Sequence, residues 1–426
     1  LLDARSESET RQGFIILVSD GLDNSESPSQ RSMATGDPTT RCRQYPVHTM
    51  GLGKAHNPKE LHSIAEESNG TYSSITEDLD SKILEAFAVC LAGLKSVVAV
   101  ETCITFEKGG KITDHSRKSS SSKTAEVKIK SIDWPGSSCK KGSSDVMLGV
   151  LYAGEVKDLM VDIDLTVNEM HGYLSIEVLI ATVKYKDVQR MKPQEKQPET
   201  KEKPPAEKCI LNVNVCATSF GKYCKKDESN QGAPFPMVMN QRVRSKVLKF
   251  FSDQFKAELE QKVGRTGPAG KLEESWEAFK ENDSLWKKAQ RIGDDYLLER
   301  IDDDIDAMVS CLKRGSGLAR LGCVYSWVLS YEKQRATFTG LPAAMFLTPV
   351  MKKMVEEAQT EVDATTSSAV TAGSTHLAPP ETRLVEAGST HLAPPETRLV
   401  GVLKEIVMGI LKDQVEEEPS QAQTRQ

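Results

Sequence analysis

Asp20 is the first residue whose position suggests chemistry. It follows Gly13-Phe14-Ile15-Ile16-Leu17-Val18, a short apolar run rich in β-branched residues, and Ser19. Such a run reads as a strand buried on both faces of a parallel sheet. Open α/β sheets hold ligand groups just past the carboxyl ends of their strands. Ser19, Asp20 and Gly21 fall there. The plainer reading is a strand end and turn, with the Asp side chain bonded to nearby backbone amides.

Other candidates weigh less. His48, His56 and His62 could together ligate zinc. They fall on a strand, a loop and a helix, at a spacing that fits no zinc motif, so structural roles are expected. Cys209, Cys216 and Cys224 are too far apart for a paired zinc knuckle. Asp302-Asp303-Asp304-Ile305-Asp306 lacks the Gly and terminal Glu of a calcium loop and reads as a solvated helix face. Arg242, Arg244, Lys246 and Lys249 form a modest basic patch without aromatics to stack bases, which argues against nucleic-acid binding. No nucleophile elbow, phosphate-binding loop or dinucleotide fingerprint occurs, so no catalytic residue is assigned.

The elements that would position Asp20 can be read in order. Residues 1–12 read as the end of a helix packed on the sheet, and Gly21 to Arg43 as a long polar loop. A second strand is expected over Gln44 to Met50, closed by Gly51-Leu52-Gly53. Asn57 and Pro58 have the types for an N-cap and first helical position. Leu61, Ile64 and Ala65 share a face, and Asn69-Gly70 is a left-handed stop. Thr71 to Ile75 is a short strand. Asp78 to Lys95 is a helix with a wide apolar stripe through Ile83, Leu84, Phe87, Cys90, Leu91 and Leu94. From Ser96 the period changes to two, and five short runs with turns between them predict an antiparallel β unit. Arg190 to Lys208 is a Pro- and charge-rich linker expected to join two paired strands. Helical spacing returns from Asn240 to Lys262 and continues to about residue 360. The segment AGSTHLAPPETRLV then occurs twice, at Ala372 to Val385 and Ala387 to Val400.

The chain of 426 residues has room for two or three domains. A net charge of −6 with 27% charged residues gives no basic excess toward nucleic acid or a membrane surface. No window is apolar enough to span a bilayer, and Leu1-Leu2-Asp3-Ala4-Arg5-Ser6-Glu7 is too charged for a signal peptide. Nine scattered cysteines fit a reduced compartment better than a disulfide framework, so a cytoplasmic location is expected.

The SDG that ends the first strand, followed by YPVHTMGLGKAHNPKELHSIAEESNGTYSSI, resembles the second half of a von Willebrand factor type A (vWA) domain. The nearest resemblance is to plant vWA proteins, among them RING-type ubiquitin ligases and their RING-less relatives. LYAGEVKDLMVDIDL resembles the β domain that follows vWA in those proteins. Ser330 to Ala336 and Thr348 to Met354 resemble their helical carboxyl-terminal module. The resemblance covers most of Leu1 to Gln359 in three consecutive pieces.

It implies an organisation of a truncated vWA half at 1–95, an antiparallel β domain at 96–220 with a disordered loop at 190–208, and a helical domain at 236–360. A disordered linker with the duplication would fill 361–400, an amphipathic helix 401–415 and a disordered tail 416–426. The fold class expected is therefore α/β, with a partial doubly wound sheet, then antiparallel β, then all-α. In the family, the Asp of SDG is one ligand of a metal-ion-dependent adhesion site, which marks Asp20. The other ligands come from upstream loops, so Mg²⁺ is expected only if an amino-terminal part supplies them. Asp23, Ser25 and Ser27 match the family's DxSxS pattern literally but lie in Asp20's own loop, beside Ser19 and Gly21. One carboxylate does not hold Mg²⁺, which takes about six oxygens. The function expected is non-catalytic protein binding. An alternative is substrate recognition in ubiquitin ligation, with the RING upstream or on a RING-bearing partner, since no RING-like Cys/His array occurs here. A degenerate product without retained activity is the third reading. Partners are expected to be proteins, among them a RING-bearing ligase or its substrate, with neither nucleic acid nor membrane.

Overall fold

A computed structural model of the chain describes residues 13–21, 45–76, 79–114, 126–134, 144–166, 173–188, 206–216, 236–251, 267–292, 296–314, 319–338 and 346–372. The expected amino-terminal helix, the loop from 22 to 44, the linker from 189 to 205, the amphipathic helix at 401–415 and the tail lie outside them. So does the sequence duplication, apart from Ala372.

Three parallel strands come first, β1 (Ile15–Ser19), β2 (Val47–Leu52) and β3 (Tyr72–Ile75), in the order β1-β2-β3. Ile15 pairs with Val47 and Thr49 with Tyr72. The second strand starts and ends later than its composition predicts, because Gly51 and Leu52 pair with Ser74 and Ile75. Helix α1 (Pro58–Glu67) crosses from β2 to β3, and α2 (Leu79–Lys95) follows β3. Asn57 caps α1 as its type dictates, its side-chain oxygen accepting from the amides of Lys59 and Glu60. Asn69, at φ 62°, makes the left-handed exit.

The two helices lie on opposite faces of the sheet. Ile16, Val18, Met50, Leu52 and Ile75 pack on Ile83, Leu84 and Phe87 of α2. Tyr72 packs on Leu61 and Ala65 of α1. This is a doubly wound α/β arrangement of three strands.

The antiparallel unit has two layers. Strands β4 (Val97–Lys108), β5 (Ile112–Asp114), β7 (Asp145–Tyr152), β9 (Tyr173–Asp187) and β10 (Ala206–Cys216) form one sheet, and β6 (Glu126–Asp133) pairs with β8 (Met160–Thr166). Phe106, Val146, Ile176 and Val178 pack against Ile129, Ile132, Val161 and Ile163 between the layers. The strands flanking the Pro-rich linker pair antiparallel as expected, from Ala206 opposite Lys184 to Cys216 opposite Tyr173. That pairing begins at Ala206, inside the stretch expected to be linker.

Helices α3 (Pro236–Lys249), α4 (Gly267–Asn282), α5 (Ser284–Ile292), α6 (Tyr296–Arg314), α7 (Gly322–Lys333) and α8 (Pro349–Ala372) complete the described chain. Aromatic residues dominate their core. Trp276, Trp286, Trp327 and Phe251 are each at most 2% exposed. The core of helices α3 to α7 includes Val243, Leu272, Ile305 and Met308. Helix α8 instead packs on α2, Met351 and Met354 meeting Ala88, Val89 and Ala92. It runs on to Ala372, into residues whose composition reads as linker. The expected helix over Asn240 to Lys262 is described only to Lys249 and the turn at Phe250 and Phe251.

The chain is thus a mixed α/β protein with a parallel sheet, antiparallel sheets and a helical part. No described helix is long and apolar enough to cross a membrane.

Candidate functional site

Ser19, Asp20 and Gly21 lie at the carboxyl end of β1, as the sequence placed them. Asp20 is exposed. The Ser19 hydroxyl donates to the Gly21 carbonyl at 3.2 Å, which is turn chemistry. Asp23, Ser25 and Ser27 lie outside the described residues. Among the described residues no group of three or more His, Cys, Asp or Glu side chains could hold a metal ion. One carboxylate and one hydroxyl engaged in a turn do not fit Mg²⁺.

The strand beneath this loop differs from its expected burial. Ile15 and Leu17 are 39% and 36% exposed, so β1 is not covered on both faces. The cause is the placement of the helices. Alternate residues Ile16 and Val18 face α2. Ile15 and Leu17 face the side where α1 covers β2 and β3 instead. Among the described residues no strand pairs with the outer edge of β1.

The opposite edge of the sheet is closed. Ser326 of α7, fully buried, donates to the Tyr72 carbonyl at 2.7 Å. The Ser74 amide donates to the Phe338 carbonyl at 3.0 Å, and the Phe338 amide to the Ser73 hydroxyl at 3.2 Å. A Cβ on Gly322 would stand 2.2 Å from the Ser74 hydroxyl oxygen, so α7 approaches β3 this closely only with glycine there.

The three histidines take structural roles. His48 is 2% exposed, with Nδ1 2.8 Å from the Thr71 hydroxyl, and burial lowers its pKa to about 3. His56 Nδ1 lies 3.0 Å from the Gly53 carbonyl and Nε2 3.0 Å from the Tyr72 hydroxyl. A proton on Nδ1 and Tyr72 as donor to Nε2 satisfy both contacts, and burial lowers this pKa also. A Cβ on Gly51 would sit 2.4 Å from the His56 ring. His62 packs its ring on Tyr325. Cys209 and Cys216 are on β10, and Cys224 lies outside the described residues.

The acidic run and the basic patch are corrected. Asp304 is 4% exposed and accepts from Trp327 Nε1 and the Tyr331 hydroxyl, both at 2.8 Å. Burial raises its pKa against those bonds and the nearby Arg300. Asp302 accepts from Trp276 Nε1 at 2.6 Å and Lys280 at 3.0 Å. The run is therefore not a wholly solvated face. Helical geometry turns Asp304 toward α7. In the basic patch, Arg242 pairs with Asp162, Arg244 is buried beside Asp158 and Lys246 pairs with Asp283. A groove of about 550 Å³ lies beside Lys246, Lys249, Phe250, Phe279 and Asp283.

Sequence reasoning missed a dense polar cluster among the described residues. The motifs LYAGE and QRA, far apart in the chain, meet in space. Arg335 donates from Nε and Nη2 to both oxygens of Glu155, at 2.7 and 3.1 Å, and from Nη2 to the Val150 carbonyl at 2.6 Å. Its guanidinium stacks 4.3 Å from the Tyr152 ring centre. Lys157 donates to Glu155 and to the carbonyls of Lys333 and Gln334, at 2.9 to 3.0 Å. Gln334, at φ 48°, exchanges two bonds with the Asp158 backbone. Glu155 and Arg335 side chains are 2% and 5% exposed. Arg335 and Lys157 overcome burial and hold the Glu155 carboxyl at about 2, while burial lowers Lys157 to about 7. The cluster ties the antiparallel unit to the end of α7. Its one sequence signal was a charged residue, Glu155, closing the otherwise apolar LYAGE.

No protein-family model matches the chain, and no curated protein does. Several solved structures are similar, three of them as follows. VWA2, the ArnB paralog from Sulfolobus acidocaldarius, has 15% identity and a TM-score of 0.34 over 74% of this chain and 64% of that one. A von Willebrand factor type A protein from Catenulispora acidiphila has 16% identity and a TM-score of 0.32 over 63% of this chain and 55% of that one. The human COPII-coat protein Sec24c has 10% identity and a TM-score of 0.37 over 74% of this chain and 39% of that one. The chain spans less than two thirds of the length of each. Likeness at this level assigns neither family nor site.

Proposed function

We propose that this chain is a non-catalytic protein-interaction module of the von Willebrand factor type A kind, and that β1 with its Ser19–Gly21 turn is the contact surface. One observation carries the reading: among the described residues β1 is an edge strand, and it exposes Ile15 and Leu17 on the face away from α2. Unpaired edges bind an added strand through main-chain hydrogen bonds and choose it through alternate side chains. The closed edge at β3 makes the contrast within one sheet. The partner is a protein that offers an extended apolar segment.

The test places a photo-crosslinking residue at Leu17 in the full chain, with Glu60 on the exposed side of α1 as control. Crosslinks to one partner from position 17 only, lost in Ile15→Lys, support the reading. The Ile15 amide bonds to Pro46, so alternation turns the Ile16 and Val18 amides outward. Slow hydrogen exchange of those two amides in the isolated chain would refute an open edge. Calorimetry with Mg²⁺ is expected to give no saturable heat. A saturable heat that disappears in Asp20→Ala would overturn the non-metal reading.

A further inference from the structure

Helices α6 and α7 follow one another in the chain, with one 3-10 turn, Ala319–Leu321, between them. Each helix carries a cysteine next to that connection. Cys311 stands in the last turn of α6, and Cys323 is the second residue of α7. Cys323 belongs to the core the helices share, Cys311 packs against that core, and the two thiols hydrogen-bond to each other. We propose that Cys311 and Cys323 form a redox site that closes to a reversible disulfide when hydrogen peroxide reaches Cys311.

The contact is the first argument. A cysteine pair can close only where the two side chains already point at one another, and a hydrogen bond between the thiols meets that condition. The unequal settings of the two sulfurs are the second. Cys323 is 5% exposed, with its thiol 3.4 Å from the Arg320 carbonyl. The bond to Cys311, and then burial, raise its pKa well above the usual thiol range, so it keeps its proton. Cys311 is only half-buried, and the exposed Arg314 guanidinium donates to its sulfur at 4.0 Å. A cation beside a sulfur steadies the thiolate, which is the form that attacks. Cys311 is thus the attacking sulfur and Cys323 the resolving one.

Peroxide is the one outside reactant. The Cys311 thiolate attacks a peroxide oxygen, the O–O bond breaks, and hydroxide leaves to take up the proton that the thiol gave. Cys311 is oxidised to the sulfenic acid and the peroxide is reduced to water. The Cys323 sulfur then attacks the Cys311 sulfur, the S–O bond breaks, and the hydroxyl leaves as water with the Cys323 proton. A thiol reductant such as dithiothreitol reverses the bond by exchange. The bond would fasten α6 to the first turn of α7, where Gly322 is pressed against Ser74 at the closed edge of the parallel sheet.

The experiment treats the full, folded chain with hydrogen peroxide, blocks remaining thiols with N-ethylmaleimide and digests with trypsin without reduction. The expected product is the peptide Ile301–Lys313 joined to Leu321–Lys333, lighter than their sum by two hydrogens and separated by dithiothreitol. Cys323→Ala removes the resolving sulfur, so peroxide should carry Cys311 on to the sulfinic acid. Cys311→Ser, at the half-buried position, should leave Cys323 as a thiol under the same treatment. Recovery of both peptides as blocked thiols, sulfinic acid at Cys311 in the unmutated chain, a bond from either residue to another cysteine, or oxidation of Cys323 in Cys311→Ser would each overturn the proposal.

Discussion

Replacing Glu155 by Gln should destabilise the protein by about 3 kcal/mol at neutral pH, and the loss should vanish in acid. The carboxyl is held near 2 against an ordinary 4.5, with Arg335 the larger favourable cause and Lys157 the next. Each pKa unit corresponds to about 1.4 kcal/mol, so this difference amounts to roughly 3 kcal/mol. Breaking a buried ion pair from one side costs about 3–5 kcal/mol by a separate route, and the two agree. The sign follows from proton counting. The folded pKa lies below the unfolded one, so the contribution is full above about 4.5 and is lost as pH falls through about 2. Protonated Glu155 then resembles Gln in shape and charge. Urea unfolding of both proteins from pH 7 down to 2.5 gives the difference curve, in which other carboxylates cancel. A difference under 1 kcal/mol at pH 7, or one that stays constant with pH, would refute the placement of Glu155 between Arg335 and Lys157.

Two further substitutions test the packing around it. Gly322→Ala should cost about 1–3 kcal/mol and loosen the closed edge at β3, because the new methyl would stand 2.2 Å from the Ser74 hydroxyl oxygen. Faster hydrogen exchange at the Ser74 amide would accompany the loss, and an unchanged melt would contradict the close approach. Asp304→Ala should cost about 2–4 kcal/mol, since it strands the Trp327 and Tyr331 donors in the core. A red shift of tryptophan emission before global unfolding would report it, and a neutral effect would mean that Asp304 is not buried.

Local patterns were legible because they depend on few residues. Asn57, Pro58 and Asn69 bound α1 through their own backbone chemistry, and the change to a two-residue period marked the antiparallel unit. The pairing of β9 with β10 across a Pro-rich linker was legible for the same reason, both runs being apolar and β-branched. Burial was less legible. The run from Ile15 to Val18 is apolar throughout, and only the position of α1 over β2 and β3 leaves Ile15 and Leu17 open. Asp304 misled for a related reason, since carboxylates in a row suggest solvent until Trp327 and Tyr331 supply donors. The Glu155–Arg335 contact could not be read at all from spacing, because 180 positions separate the partners.

The two ends of the parallel sheet serve different ends. At the carboxyl end, Asp20 is exposed above a half-covered strand, and the Ser19 hydroxyl donates to the Gly21 carbonyl at 3.2 Å. At the amino-terminal end, Lys333 reaches Asn69 just after α1, Arg335 locks to Glu155, and the Ser68 hydroxyl accepts from the Val47 amide at 3.0 Å. Local stability follows buried contacts, so opening should be easiest at β1 and hardest at that joint. A protein that adds a strand to β1 would therefore act on the softest described element without disturbing the charged joint. Asp20, where the sequence suggested chemistry, stands beside the strand edge proposed for recognition, while buried polar contacts hold the parts of the molecule together at the other end.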